Sequence, residues 1–559
     1  MKTKEHKHSS RHCCQMPLLA VSILALTASI VGASPPDGED SKRAKIVVDE
    51  KPNAQSVTAE APGKPPGKGA QRAPESVPGL REIHRGDLED DLMLLEFYEK
   101  QPQASLDFFR AARKALDAAP MSRIADHPEI RAAAEQFGFT HLGGPMLGAV
   151  THEGARVWVR TNFPANVTVE VDQGGKTEVF GPVASTVESD LTAVVEVTGL
   201  APEQRYPYRV LVNGEPITMP AGASIPTAPL PGQPTKMRIV FGSCFHKSGL
   251  HNPKLLRTMR ERKPTAALFY GDMAADDREN RVGLHRADYL LRDLSPAWNE
   301  LAASVPLYAT WDDHDYFNND LGGVPKGFTE ADREAVRQVW TQNWNNPSYG
   351  FGDKGGGVFL RTKIGPADVI MVDNRYHRGV RNQPRSFLGP EQMRWLEESI
   401  GQSSGPFVML SCGTMWADYV SDGKDSWGQF DPEGRERIFQ LIEQKNVPTF
   451  LLSGDRHGAR GFKIPRPSGK VLYEFGSALL GAHQGRPAWM KDCPEQLFGF
   501  ARLHAFSELE FDTTGPEPVA TYRLIHEDGS ELYKIDLNAK DLLSPAPAAI
   551  DNRRQSVVD

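Results

Sequence analysis

Six short clusters of Asp, His, Cys and Arg residues each follow an apolar run of β character. Trp311-Asp312-Asp313-His314-Asp315 follows Val305 to Thr310. Ser243-Cys244-Phe245-His246 follows Arg238 to Phe241, and Gly271-Asp272 follows Ala267 to Tyr270. Asp373-Asn374-Arg375 follows Val369 to Val372, Ser411-Cys412-Gly413-Thr414 follows Phe407 to Leu410, and Ser453-Gly454-Asp455-Arg456-His457 follows Thr449 to Leu452. Strands apolar throughout are buried on both faces. Groups at their carboxyl ends converge on one rim of the sheet, where α/β proteins build sites. Carboxylates gathered there are costly unless paired or metal-bound, so the pattern predicts a metal-dependent active site.

The residue types specify the chemistry further. A carboxylate has two oxygens and about four lone-pair positions, so Asp272 is expected to bridge two cations. Two neighbouring metals acidify water and stabilise both the attacking and leaving oxygens of phosphoryl transfer. Asp313 and Asp455 supply hard oxygen ligands, and His246 and His457 supply imidazole. Cys244 supplies a thiolate, which favours iron or zinc over magnesium. His314 is the expected general acid for a departing alkoxide. Arg375 and Arg378 are the expected planar forks for phosphate oxygens, in a cluster that includes Arg381. Asp312, Asp315 and Asp320 are read as helix caps. Asp276, Asp277 and Glu279 are read as a solvated face, and His251, His483 and His504 have no supporting context.

These clusters need elements to position them. From Met237 to about Leu537, apolar strands alternate with helical stretches such as Arg286–Leu294 and Pro390–Ile400, an α/β pattern. Two late alternating runs, Leu503–Phe511 and Val519–Ile525, predict an antiparallel edge. Residues 142–228 hold short alternating strands separated by turn residues, which predicts a small β-sandwich. A Pro-rich linker follows at 222–235. Residues 86–141 carry leucines and phenylalanines at helical spacing, from Leu88 to Leu116, and are expected to pack on a neighbouring domain. The catalytic segment is placed at 236–540, and residues 541–559 read as a tail.

The N-terminus has an export signature. Lys2, Lys4, Lys7 and Arg11 precede an apolar stretch from Pro17 to Gly32, too short for a confident membrane span. Small residues at Val31-Gly32-Ala33 suit signal peptidase, so residues 1–33 are expected to be a signal peptide. The mature chain is expected to have no membrane span and to be periplasmic, cell-surface or extracellular. Residues 34–85, rich in Pro, Gly, Lys, Ala and Glu, are expected to be a disordered linker. The 559-residue chain is 24% charged and 39% hydrophobic, ordinary for a globular protein. A net charge of −8 disfavours nucleic acid as a partner. Of five cysteines, Cys13 and Cys14 fall in the signal segment. The remaining three form no disulfide framework, although Cys412 and Cys493 could pair in an oxidising compartment.

Together, Ser243-Cys244, Gly271-Asp272, the Val-Pro-x-x-x-x-Trp-Asp-Asp-His-Asp run ending at Asp315, Asp373-Asn-Arg-Tyr-His-Arg378 and Ser453-Gly-Asp-Arg-His457 resemble the alkaline phosphatase D (PhoD-like) family of calcineurin-like metallophosphatases. Gly144 to Thr151 and Ala155 to Val159 resemble that family's N-terminal β-sandwich. The resemblance spans about residues 142–537. It implies a four-layer αββα metallophosphatase core preceded by a small β-sandwich, an exported phosphomonoesterase or phosphodiesterase activity, and iron and calcium as metals. It supports Cys244, Asp272, Asp313, Asp455 and His457 around the metals and His314 beside the phosphate. The family's tyrosine, three residues after the Gly-Asp aspartate, is Ala275 here. His246 creates a Cys-x-His where many metallophosphatases have Asp-x-His, and is expected to replace the lost coordination. That leaves zinc or another divalent metal in contention with iron. His377 stands where an aromatic residue is common.

The expectation is therefore a phosphate-ester hydrolase in which a metal-bound hydroxide attacks phosphorus in line. The alternatives are a phosphodiesterase or phospholipase-D-like enzyme, and a non-catalytic cell-surface binding protein with a vestigial metal site. A serine hydrolase is disfavoured. The Gly401-Gln-Ser403-Ser-Gly405 run lies between a helix and the next strand, and a nucleophile elbow needs the reverse order.

Overall fold

The computed structural model describes residues 86–274, 280–379, 385–417, 419, 426–481, 483, 488–490 and 493–543. The expected signal peptide and linker, Ala275, Asp276, Asp277, Glu279, Arg381 and all but the start of the tail lie outside these residues. Among the described residues, no helix is long and apolar enough to cross a membrane.

The region from Lys236 to Asn538 is built on two sheets. In the first, Leu307–Thr310, Ala266–Tyr270 and Lys236–Gly242 run parallel, and Ala505–Asp512, Val519–His526 and Glu531–Asn538 continue it antiparallel. The second has the order Leu360–Ile364, Ala367–Met371, Phe407–Cys412, Thr449–Ser453, Val471–Ser477, Ala459–Pro465, Gln496–Phe500. Its second to fifth strands are parallel.

Alternation along each strand divides its side chains between two cores. Ile239, Phe241, Leu268 and Tyr308 meet Val369, Met409, Phe450 and Phe475 between the sheets. Val240, Ala267, Phe269 and Leu307 point the other way, onto Leu255, Leu256 and Met259 of the helix Pro253–Glu261, Trp298 and Leu301 of Pro296–Ala302, and Val336, Val339 and Trp340 of Glu330–Asn343. On the far side, Ile370, Val408, Leu410 and Leu451 meet Met393 and Leu396 of Gly389–Gly401 and Ile438, Phe439 and Ile442 of Pro432–Lys445. Each fully buried side chain of this kind contributes roughly 1.5–3 kcal/mol of transfer free energy. The result is the αββα stack that the family resemblance implies.

One expectation is corrected. Ala505–Asp512 is an interior strand, bonded on one side to Lys236–Gly242 and on the other to Val519–His526. The sheet edge is Glu531–Asn538, reached through the turn at Glu527–Ser530. Its side chains are mostly part-exposed, as suits an edge.

Residues 143–226 form two facing antiparallel sheets. Gly143–Thr151, Gly154–Arg160 and Thr192–Val197 make one, and Thr177–Ser185, Ala165–Asp172, Arg205–Val212, Glu215–Pro216 and Ser224–Pro226 make the other. Val167, Val169 and Val171 alternate inward onto Val157, Val159 and Val195.

The helices Leu88–Leu95, Gln103–Ala118 and Pro128–Gln136 precede the sandwich. They start at Asp87, whose carboxylate caps the first turn, and at Pro102 and Pro128. Leu92, Leu95, Leu106 and Phe109 cover Leu291, and Phe108 and Leu116 cover Ala287 and Leu290, all three on the helix Val282–Asp293.

Candidate metal centre

All six clusters sit at or just beyond the carboxyl ends of parallel strands, so both sheets deliver their polar residues to one rim. The local backbone is unusual there. Cys244, His246, Lys247, Asp272, Asp455 and His457 all have φ between 33° and 66°, in the left-handed region. Such conformations cost about 1–3 kcal/mol each and persist where surroundings enforce them. Here the first two turns bind each other: Cys244 N–H donates to the Gly271 carbonyl at 3.0 Å, and His246 N–H to the Asp272 carbonyl at 3.1 Å. Gly271 has φ 105°, and a Cβ there would lie 2.3 Å from the Asp312 Cβ. Only glycine fits between these turns.

The next turn is held from below. Asp312 N-caps the short helix Asp313–Tyr316 with Asp315 in a reciprocal capping box. The Asp315 carboxyl accepts the Met273 N–H at 2.9 Å and the Asp312 N–H at 3.3 Å, tying the Asp272 turn to the Asp313 turn. Burial pushes Asp315 up to about 8, against the pull of these N–H groups.

Two donor groups result. Cys244, His246, Asp272 and His457 each offer one atom, and all four lie within 4.8 Å of one another. Asp272, Asp313 and His314 form the second group on the same criterion. Asp272 belongs to both. Its Oδ2 accepts the Cys244 thiol at 3.3 Å and lies 3.5 Å from His246 Nε2. Its Oδ1 is buried and has no hydrogen-bond partner among the described residues. Burial and the charge of Asp313 hold the Asp272 carboxyl well above the usual carboxylate range. Burial and Asp272 likewise push the Cys244 thiol up.

An orphaned carboxylate oxygen, a thiol and two facing imidazoles are unfavourable neighbours in a cation-free site. They are a suitable ligand set once a divalent ion supplies positive charge. The sulfur, nitrogen and oxygen donors of the first group suit zinc or iron, and the oxygen-richer second group suits a harder ion.

Asp455 falls in neither group. Its Oδ2 lies 3.1 Å from Arg456 Nε, on the loop that carries His457. Arg375, expected to grip substrate, is fully buried. Its Nε pairs with Asp312, an Nη lies 3.7 Å from Asp313, and another donates to the Leu321 carbonyl. Arg375 is a counter-charge beneath the second donor group. Although burial alone would raise Asp313, Arg375 and His314 hold its carboxyl well below the usual range. Arg378, the other expected substrate ligand, is nearly buried and stacks on Phe430 at 4.2 Å and Phe387 at 5.0 Å. The geometry thus turns both arginines toward the protein.

Cys412 and Cys493 are separate free thiols. Cys412 accepts the Trp427 indole N–H. His377 bonds the Gly356 carbonyl at 3.0 Å, an arrangement of the loop. His483 was given no role by its surroundings in the chain. It lies with its ring 5.3 Å from that of His246 and bonds the Ser248 hydroxyl at 3.0 Å. Neither a strand-end position nor an acidic neighbour marks it in the sequence.

Comparison with known proteins accords with this geometry. A family profile described as PhoD-like phosphatase matches residues 242–497, and one described as a domain of unknown function (DUF7800) matches 140–230. Alkaline phosphatase D of Bacillus subtilis (strain 168) is 24% identical over 347 residues, a match covering 51% of this chain and only 57% of that protein. The solved structure of PhoD superposes with a TM-score of 0.55 at 19% identity, covering 72% of this chain and 89% of the other. Purple acid phosphatase PPD1 from yellow lupin (Lupinus luteus) seeds gives 0.53 at 14%, covering 72% and 76%. These two structures share the fold. With its strand-end motifs gathered on one rim of an αββα core, the 242–497 region of this chain is similar to the PhoD-like phosphatases.

Proposed function

We propose that the protein is an exported, metal-dependent phosphate-ester hydrolase. The observation that carries this reading is Asp272, shared by two donor groups at the carboxyl rim. Cys244, His246, Asp272 and His457 would hold one ion, and Asp272, Asp313 and His314 face the second position. Bound ions there would acidify water and neutralise charge on the phosphate. Zinc or iron is proposed for the first position and a harder divalent ion for the second. The match to alkaline phosphatase D and the PhoD-like profile support phosphoester chemistry. Export rests on the basic and apolar pattern of residues 1–33.

The chain's own groups divide the remaining work. Arg375 holds the Asp313 carboxyl in its ionised form and pairs with Asp312. Asp315 fixes the turn that presents Asp272. His314 stands at the rim, its ring 5.5 Å from that of His246, where it can deliver a proton to a departing alcohol.

The test is hydrolysis of a panel of phosphomonoesters and phosphodiesters by the metal-loaded full chain and by Asp272→Asn. Activity should fall by orders of magnitude in the variant, together with bound metal, while the circular dichroism is unchanged. Near-normal turnover by Asp272→Asn overturns the two-ion reading. No turnover by the wild type leaves the non-catalytic binding protein. A preference for diesters selects the phosphodiesterase or phospholipase-D-like alternative.

A further inference from the structure

The three N-terminal helices lie outside both matched profiles, the first of which begins at residue 140. Yet one of their side chains reaches the loop that carries the first metal-donor group. Lys247 follows His246 directly, and its side chain is essentially inaccessible to solvent. Its ammonium lies 2.8 Å from Asp91 Oδ1 and 2.7 Å from Asp288 Oδ1. Asp91 comes from the helix Leu88–Leu95 and Asp288 from the helix Val282–Asp293. Arg113, on the second N-terminal helix, lies 3.5 Å from the other Asp91 oxygen and bonds the Gly86 carbonyl. Two cations and two carboxylates are thus brought together away from water.

A buried ammonium persists only where such partners surround it. The cost of removing one is high, because the remaining charge is left uncompensated. Lys247 also has φ 55°, and His246 before it φ 46°. Residues other than glycine adopt that conformation uncommonly. The turn is enforced at its backbone by the Asp272 and Met273 carbonyls and at its side chain by Asp91 and Asp288. Leu92 and Leu95 seat the same helix on Leu291, one turn from Asp288, so both carboxylates are mounted on one packed unit.

We infer that Asp91 is a positioning residue for the metal centre: through Lys247 it fixes the left-handed turn that aims His246. The N-terminal helices are then a working part of the site, and the inference rests on the metal-centre reading above. Asp91 touches neither metal nor substrate, so its effect should appear first in metal affinity.

The experiment uses the full-length mature chain stripped of metal. Zn2+ affinity is measured by competition with a chromogenic chelator, with folding followed by circular dichroism and thermal unfolding. Asp91→Asn keeps the shape and removes the charge, and should weaken Zn2+ binding about tenfold or more, as for partners that orient ligands. Asp91→Glu should recover part of that loss. Glu89→Gln, on the exposed side of the same helix, should change nothing. A folded Asp91→Asn that binds Zn2+ as tightly as the wild type overturns the assignment. If Asp91→Asn does not fold, Asp91→Glu decides, and unchanged Zn2+ affinity in that variant overturns it equally. Zn2+ affinity is read without turnover. A protein that fails to hydrolyse phosphate esters but shows these shifts refutes the proposed reaction and leaves the positioning role standing.

Discussion

His246 and His457 are 211 residues apart in the chain, yet their Nε2 atoms lie 3.0 Å from each other. Two neutral imidazoles can face in this way only if one donates and the other accepts, and two imidazolium rings cannot. A shared cation satisfies both lone pairs at once. His246→Ala and His457→Ala should therefore each weaken Zn2+ binding by more than the roughly tenfold low end seen for residues that merely orient ligands. Calorimetry on the metal-stripped protein measures this directly. Unchanged affinity in His246→Ala would remove it from the ligand set and leave the Ala275 departure without compensation.

Arg375 is the clearest case of a role set by distant partners. Its guanidinium pairs with Asp312, and all three charges of the Asp312, Asp313 and Arg375 set are buried. Removing one partner of a buried pair leaves the other uncompensated, at about 3–5 kcal/mol. Arg375→Ala should lose about that much stability in urea denaturation. A substrate-gripping arginine predicts the opposite signature: a raised KM with normal stability. Observing that signature would restore the role its sequence motif suggests.

What the sequence made legible follows from periodicity. Runs such as Phe407–Leu410 and Phe450–Leu452 are apolar at every position because helices and a second sheet cover both faces. Polar residues at their ends are then conspicuous, so Cys244, Asp272, Asp313 and His457 could be picked out. The sandwich strand Thr177–Ser185 is hard to read from the sequence because Gly181-Pro182 interrupts its alternation, which an edge strand tolerates. His483, Arg375 and Asp91 act through partners 235, 63 and 156 residues away. No local pattern encodes such contacts. Asp91 in particular sits on an ordinary amphipathic helix, and only tertiary packing shows that it reaches Lys247, next to His246.

Glu474 gives the fold a pH dependence of known sign. It is fully buried, and its carboxylate accepts the Ser453 hydroxyl and the N–H groups of Trp416 and Ala417. Burial outweighs these bonds and raises it from 4.5 to about 7. The unfolded chain ionises first. Stability from the protonated form is therefore complete below pH 4.5 and is lost as pH rises through about 7. The decline amounts to about 3 kcal/mol across that window. Urea unfolding at several pH values should show it, and Glu474→Gln should flatten this part of the slope. An identical slope in the variant would assign the pH dependence to other groups.

His314 lies at the rim in the group formed with Asp272 and Asp313, so two roles compete for it. As a proton donor, it matters in proportion to the basicity of the leaving oxygen. An aryl phosphate releases a stable phenolate and needs little help, whereas an alkyl phosphate expels an alkoxide that must be protonated. His314→Asn should then depress hydrolysis of alkyl esters by roughly 10²–10⁴-fold, the usual span for general acid catalysis, and that of activated aryl esters far less. As a metal ligand, His314 would be needed equally for every substrate, and its loss would also lower bound metal. A leaving-group series combined with metal analysis of His314→Asn separates the two. A slope that steepens with leaving-group pKa at constant metal content assigns proton transfer. A uniform rate loss with reduced metal assigns coordination and defeats the general-acid role.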